Sequence, residues 1–257
     1  VRILVCVKQV PDAEAPIRIG EDGRSLLVEK SAWRMNRCDE YAIEEALRIR
    51  EAFPGTRVEV LSVGPPRAAD VLRRALSLGA DEGIHLLGGE EPEPLPGEIA
   101  ARIASFCRER LYDLILAGVM AEDDMQGQVG PIVAERLEIP CATAVMAQSI
   151  SPDRKTIRVE RELEGGHREA LEMPLPSLLA VQSGINRPRW PALSHVLRAR
   201  TQPLTTLAEE APDPPEKRES VVRLFPPEAS GRALFLEGTP AEKAERLAAI
   251  LREKGFL

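Results

Sequence analysis

Strand-like and helix-like apolar patterns alternate four times in the first 137 residues of this chain, and that alternation narrows the available folds more than any other feature. Residues 2–8 are mostly apolar or β-branched, as in a strand buried on both faces. Ala42, Ile43, Ala46, Leu47 and Ile49 then recur at helical spacing, with Asp39 expected as N-cap and an end near Phe53-Pro54-Gly55. Val58 to Val63 is a second strand, closed by Gly64-Pro65-Pro66, and Leu72, Ala75 and Leu76 mark the next helix. A third strand, Gly83 to Leu87, leads through an acidic, proline-rich loop to a helix carrying Ile99, Ile103 and Phe106. Leu114-Ile115-Leu116 is the fourth strand, followed by a helix on Val129, Ile132, Val133 and Leu137. This order predicts a mostly parallel, doubly wound α/β sheet with right-handed crossovers and helices on both faces. Ligands of such sheets bind outside the carboxyl ends of the strands. Three loops leave those ends: Lys8 to Asp12, Ser62 to Pro66, and Gly118 to Gly130.

The third loop, through Ala121-Glu122-Asp123-Asp124-Met125-Gln126-Gly127-Gln128-Val129-Gly130, joins a buried strand to a helix N-terminus through small residues. Free N–H groups in a first helical turn favour a phosphate, and glycine permits close approach. An ordinary βα turn also needs glycine, and the local pattern leaves both readings open. Asp123 and Asp124 read as an acid–base or magnesium pair, or as a cap and a solvated loop residue. Gln128 reads as an adenine or ribose contact, or as a surface glutamine; Asn36 and Asp39 read as ligand contacts or as caps. Neither of the phosphate-loop patterns G-x-x-x-x-G-K-[ST] and G-x-G-x-x-G occurs, and Ser62 and Ser183 lack a nucleophile elbow. The residues therefore offer nucleotide-binding loops without a catalytic constellation.

Beyond Leu137 the pattern changes. Pro140 to Val145 looks extended, residues 157–163 and 168–173 pair as a β-hairpin across Glu164-Gly165-Gly166-His167, and Leu178 to Val181 is another strand. Ser25 to Val28 is a short β excursion. From Asn186 prolines break the chain, and residues 199–238 show little periodicity although Val221 to Phe225 and Leu234 to Leu236 are apolar. An arm packed on another surface accounts for this better than a free linker. Thr239-Pro240-Ala241-Glu242 is a capping box opening a last helix on Ala244, Leu247, Ala248 and Leu251. Arg187-Pro188-Arg189-Trp190-Pro191 carries one of two tryptophans on a stiff basic loop, which suits partner recognition or packing on its own domain. Arg161, Glu162 and Glu164 read as an ion-pair cluster at a subunit contact or as solvated hairpin charges.

A net charge of −7 argues against a nucleic-acid surface. Cys6, Cys38, Cys107 and Cys141 have no paired spacing, and three scattered histidines make no zinc pattern. No apolar run reaches membrane-spanning length, and the opening residues are too short and strand-like for a signal peptide, so a cytoplasmic location is expected.

The chain resembles the β subunit of the electron transfer flavoproteins along nearly its whole length. The carriers of the likeness are Ile3 to Asp12, Asn36 to Arg48, Ser62-Val63-Gly64-Pro65, Ala75 to Asp81 and Gly127 to Pro131. Val159-Glu160-Arg161-Glu162-Leu163-Glu164-Gly165-Gly166, running on to Leu175-Pro176-Ser177-Leu178, matches the family's signature region, and Asn186 to Trp190 its asparagine–proline–arginine–aromatic loop. Arg37 departs from a frequent proline, Met125-Gln126 from more polar residues, Val129 from a hydroxyl residue and Trp190 from a common tyrosine. The basic run after the loop is reduced to Arg198 and Arg200.

The resemblance implies an electron carrier subunit, not an enzyme in its own right. It implies a heterodimer with an α subunit that holds most of one FAD, and a structural AMP in this subunit. It assigns nucleotide contacts to Cys6, Asn36, Val63, Asp124, Gly127, Gln128, Val129 and Gly130, and partner recognition to Arg189, Trp190 and Leu193. Dehydrogenases and a quinone oxidoreductase are the implied transient partners. Residues 1–198 would form the α/β nucleotide-binding domain and 199–257 an arm and terminal helix packing on the α subunit. Alternatives are a bifurcating-type subunit with a second FAD in place of AMP, a stand-alone adenine-nucleotide sensor, or a hydrolase or ligase of the same superfamily.

Overall fold

The apolar runs of the sequence become neighbours in one nine-stranded sheet. The computed structural model describes residues 1–29, 32–89, 94–208, 220–226 and 233–257. In chain order the early elements are β1 (Arg2–Cys6), β2 (Gln9–Pro11), β3 (Arg18–Ile19), β4 (Leu26–Leu27), β5 (Trp33–Met35) and α1 (Arg37–Ala52). β6 (Arg57–Gly64), α2 (Ala69–Leu78), β7 (Glu82–Leu87), α3 (Pro96–Arg108), β8 (Leu114–Gly118) and α4 (Val129–Leu137) complete the alternating part. β9 (Cys141–Ile150), β10 (Thr156–Glu162), β11 (Arg168–Pro174), β12 (Ser177–Val181), α5 (Leu193–Thr201), β13 (Thr205–Leu207) and α6 (Pro240–Glu253) follow.

The sheet order is β11-β10-β9-β12-β8-β1-β6-β7-β13, with β2–β5 and β3–β4 as separate two-stranded ribbons. β10 runs antiparallel to β9 and β11, and the other pairings are parallel. The antiparallel extension therefore joins the same sheet. β1 lies inside it, between β6 and β8, and its side chains alternate between two cores. Ile3 and Val5 face the core built with α1 and α2, whereas Leu4 faces the core built with α3 and α4. All three are fully buried, each stabilising the fold by about 1.5–3 kcal/mol, so both layers are fastened to this strand.

At the amino end of the sheet, Glu59 is 2% exposed and accepts two bonds from the Arg2 guanidinium (3.0 and 2.9 Å) and one from Tyr112 Oη (2.6 Å). Arg57 Nε lies 2.9 Å from the same carboxylate. Burial alone would raise this carboxyl, but the Arg2 and Tyr112 hydrogen bonds and the two arginine charges together hold it below the usual range. This end is a structural clamp, which leaves the carboxyl end for ligand chemistry.

Several expectations are corrected. Asp39 is not an N-cap: α1 begins at Arg37 with Asn36 in the cap position, and Asp39 lies buried in the first turn. Residues 193–201 form α5, which packs on α2, where Arg73 donates to the carbonyls of Ala199 (2.8 Å) and Gln202 (3.2 Å). β13 then adds an edge strand beside β7. The sequence hides both because α5 buries only Ala199 and β13 has three residues.

Val1–Arg223 forms one compact unit, within which residue 198 is internal, and Leu224–Leu257 forms a second. In the second, Thr239 and Glu242 close the expected capping box on α6, and none of that helix's residues is buried. Residues 90–93 of the acidic loop, and 209–219 and 227–232 of the expected arm, lie outside the described residues.

Candidate functional site

The carboxyl ends of β1, β6 and β8 lie side by side, because β1 pairs with both of the others. One side chain ties two of these ends together. Asp39 Oδ2 accepts from the backbone N–H of Lys8 (2.7 Å) and Oδ1 from that of Gly118 (3.0 Å). Gly118 is glycine for want of space: a Cβ there would collide with Asp39 Oδ1 and approach Cys38 Cβ at 2.7 Å. Burial is the largest influence on Asp39 and raises its carboxyl to about 7, against the opposing pull of both N–H donors, Asn36 and the Lys8 charge.

Asn36, 1% exposed, fixes the loop beyond β8. Its Nδ2 donates to the Met120 carbonyl (2.9 Å) and its Oδ1 accepts from the Glu122 N–H (3.1 Å). Its amide thus positions the loop, and any contact it makes to a ligand is additional to that work. Lys8 Nζ bonds Asp123 (2.8 Å) and Asp124 (3.0 Å), while Arg34 reaches Glu122 at 3.2 Å. The three carboxylates of the loop are therefore each paired with one of two basic residues, from β5 and the turn after β1, which lowers the negative charge that an anion approaching α4 meets. Sequence reasoning flagged the Lys8 loop without this pairing; opposite charges leaving adjacent strands were the available signal.

Asp124 Oδ1 accepts from the Gln126 N–H at 3.0 Å, so Asp124 shapes the turn and is not a catalytic acid. Met125 is 70% exposed with φ +52°, a left-handed conformation that costs a non-glycine residue about 1–2 kcal/mol. Such strain persists where the surrounding bonds impose it. Gly127 follows with φ +62°, and a Cβ there would lie 3.0 Å from the Val119 carbonyl oxygen. Gln128 occupies the N-cap of α4 with no side-chain cap bond, and Val129 and Gly130 open the helix. Their N–H groups have no partner within the helix, and Pro131 brings none. Gly130 also lets the helix approach β12, where a Cβ would stand 3.3 Å from Leu178 Cδ2.

Cys6 and Val63 are half-buried on β1 and β6 at this edge. Desolvation, with Cys107 and Asp39 nearby, pushes the Cys6 thiol well above its ordinary range, so it is a wall residue and not a nucleophile. Ser62, 1% exposed, has a hydroxyl with no hydrogen-bond partner, a polar atom that sequence reasoning did not single out for binding. The N–H groups of the first turn of α4, which have no carbonyl partner in the helix, and the glycine-lined approach fit a phosphate-bearing nucleotide. All eight expected nucleotide residues share this edge. Among the described residues no group of three or more His, Cys, Asp or Glu could hold a metal ion, and no helix is long and apolar enough to cross a membrane.

The expected recognition loop is pinned to α1. Arg189 bonds Glu44 (2.7 and 3.0 Å) and Glu51 (2.8 Å), and Asn186 Nδ2 bonds Glu45 (2.9 Å) and the Tyr41 carbonyl (3.0 Å). The Glu44 hydrogen bond, outweighing burial, raises the Arg189 guanidinium still further above neutrality. Arg189 therefore anchors the loop, while Trp190 (87% exposed) and Leu193 (74% exposed) face outward. On the hairpin, Arg161 pairs with Glu169 across the strands at 2.9 Å.

The chain has relatives among known proteins. The model of the family described as electron transfer flavoprotein domain matches residues 25–212. The chain is 34% identical to the electron transfer flavoprotein subunit beta of Bacillus subtilis (strain 168), over 98% of each chain. It is 36% identical to the caffeyl-CoA reductase-Etf complex subunit CarD of Acetobacterium woodii over the whole of both chains. To the electron transfer flavoprotein subunit beta of Homo sapiens it is 31% identical, over 99% of this chain and 98% of the other.

Proposed function

The chain belongs to the electron transfer flavoprotein β-subunit family, and on that premise we propose that it pairs one-to-one with an α subunit holding most of one FAD, and binds AMP itself. In this reading the complex is cytoplasmic and carries electrons from dehydrogenases to a quinone oxidoreductase or another acceptor. The observation that carries the nucleotide assignment is the start of α4: unbonded N–H groups beside Gly127, approached through a loop whose carboxylates are already paired. AMP would lie with its phosphate there and its base toward Cys6 and Val63, as a fixed structural group. FAD supplies the redox chemistry when bound. This chain's own work is to close the flavin's surroundings and present Trp190 and Leu193 to the dehydrogenase. Exposed Phe225, Phe235, Phe256 and Leu257 in residues 224–257 support an arm that covers the α subunit.

A second reading is favoured by the CarD relative, a subunit of a reductase complex rather than of a free carrier. In that version a second FAD occupies the AMP position, as in the bifurcating type. The test of the main reading is co-expression with an electron transfer flavoprotein α subunit. A yellow one-to-one complex is expected, and Leu193→Ala slows electron exchange with dehydrogenases without loss of flavin. A colourless, fully stable monomer overturns the reading.

A further inference from the structure

Beside the recognition loop, and joined to the nucleotide edge through Arg34 and Glu122, lies a cavity of about 380 Å³ between the β2–β5 ribbon and the N-terminal parts of α1 and α2. Its apolar lining comes from Trp33, Met35 and Val71, and its cations from Arg34, Arg37 and Arg74. The Arg67 guanidinium lies 3.9 Å from the Trp33 ring centroid and holds that ring in place. Gln9, which lines the cavity, is 9% exposed; its Nε2 donates to the Arg67 carbonyl (3.0 Å). The acidic lining is Glu40, already paired with Arg74 at 3.5 Å, and Asp70. Arg34 is tied to Glu122 and Asp12. The cavity thus offers arginine charge over an apolar floor on a chain whose net charge is −7.

Arg74 links this cavity to the loop, since its guanidinium carbon lies 5.9 Å from the Trp190 ring centroid. Trp190 and Leu193 are the outward groups of that loop, and the basic residues after them are only Arg198 and Arg200. We infer that the cavity receives an acidic segment of the dehydrogenase docked on Trp190 and Leu193, its carboxylate on Arg37 and Arg74. This rests on the docking role proposed for the loop. It places the positive charge of the docking surface on α1 and α2 rather than after the loop, and it makes recognition salt-dependent.

The experiment uses the αβ complex and a reduced acyl-CoA dehydrogenase as electron donor, and measures KM for the complex, kcat, flavin content and salt dependence. Arg37→Glu is expected to raise KM about tenfold with kcat and flavin content unchanged and a shallower salt dependence, while Arg37→Lys keeps most of the affinity. Leu193→Ala runs alongside. If Leu193→Ala raises KM and Arg37→Glu does not, the cavity is not part of the docking surface and the inference fails alone. If neither changes KM, the docking role of the loop fails and takes the inference with it. Flavin loss in Arg37→Glu assigns the cavity to the α-subunit contact and also overturns it.

Discussion

Replacing Asp39 with Asn tests the tie that holds the candidate site together. In the unfolded chain an aspartate titrates at about 3.9. In the folded protein burial raises Asp39 to about 7. The folded state therefore keeps a proton that the unfolded state has lost. Its contribution is fully present below about pH 3.9 and is lost as pH rises through about 7. Between about pH 5.5 and about pH 8.5 the loss attributable to this one carboxyl is roughly 2 kcal/mol. Asn keeps the shape but cannot titrate. It also turns an N–H toward one of the two backbone donors now bonded by the carboxylate, those of Lys8 and Gly118, which costs about 1–3 kcal/mol. At the acidic end the variant is the weaker protein. Toward the alkaline end the wild type loses stability and the variant does not, so the gap moves by roughly 2 kcal/mol in the variant's favour. Urea unfolding of the αβ complex, followed by circular dichroism across this pH range, reads that change directly. Parallel curves would refute the raised carboxyl and mean that the two N–H donors hold it charged throughout this range. The variant is also expected to retain less nucleotide, since the ends of β1 and β8 lose their common fastening. Asp39 then illustrates a buried charge kept at a cost in stability for the geometry it imposes.

Three further outcomes are expected. Gly127→Ala places a Cβ at positive φ, 3.0 Å from the Val119 carbonyl, and should destabilise by about 1–2 kcal/mol while sharply reducing bound nucleotide in extracts of the complex. Glu59→Gln breaks the clamp with Arg2, Arg57 and Tyr112 and should cost about 1–3 kcal/mol in urea unfolding with nucleotide content unchanged, because it acts at the opposite end of the sheet. Lys8→Met leaves Asp123 and Asp124 without their shared cation, and nucleotide retention should fall most at low salt, where repulsion of a phosphate is least screened.

What the sequence made legible follows from the range of the interactions involved. The alternating strands and helices up to α4, the β10–β11 hairpin and the capped α6 could be read because local periodicity and capping chemistry specify them. The carboxyl edge followed from the alternating strands and helices, whereas Cys6, Asn36, Val63 and Gly127 to Gly130 were assigned to it through the family resemblance. The role of Asp39 could not be read, because its partners are 31 and 79 residues away and its local context is that of a helix start. α5 was hidden by the lack of a buried stripe. Arg189 looked like a free recognition charge because Glu44 and Glu51 stand 145 and 138 residues earlier in the chain. The arginine cavity is likewise assembled from segments around Gln9, Trp33 to Glu40, and Asp70 to Arg74, none of which is distinctive alone.

The central claim, that the carboxyl edge of this sheet holds a nucleotide which takes no part in the redox chemistry, is tested most directly by the nucleotide content of the purified αβ complex. Acid extraction and chromatography should give one FAD and one AMP per heterodimer, with AMP lost and FAD retained in Gly127→Ala. Two FAD and no AMP would contradict the assignment in favour of the bifurcating type, and one FAD with no adenine nucleotide of any kind at this edge would contradict the site itself.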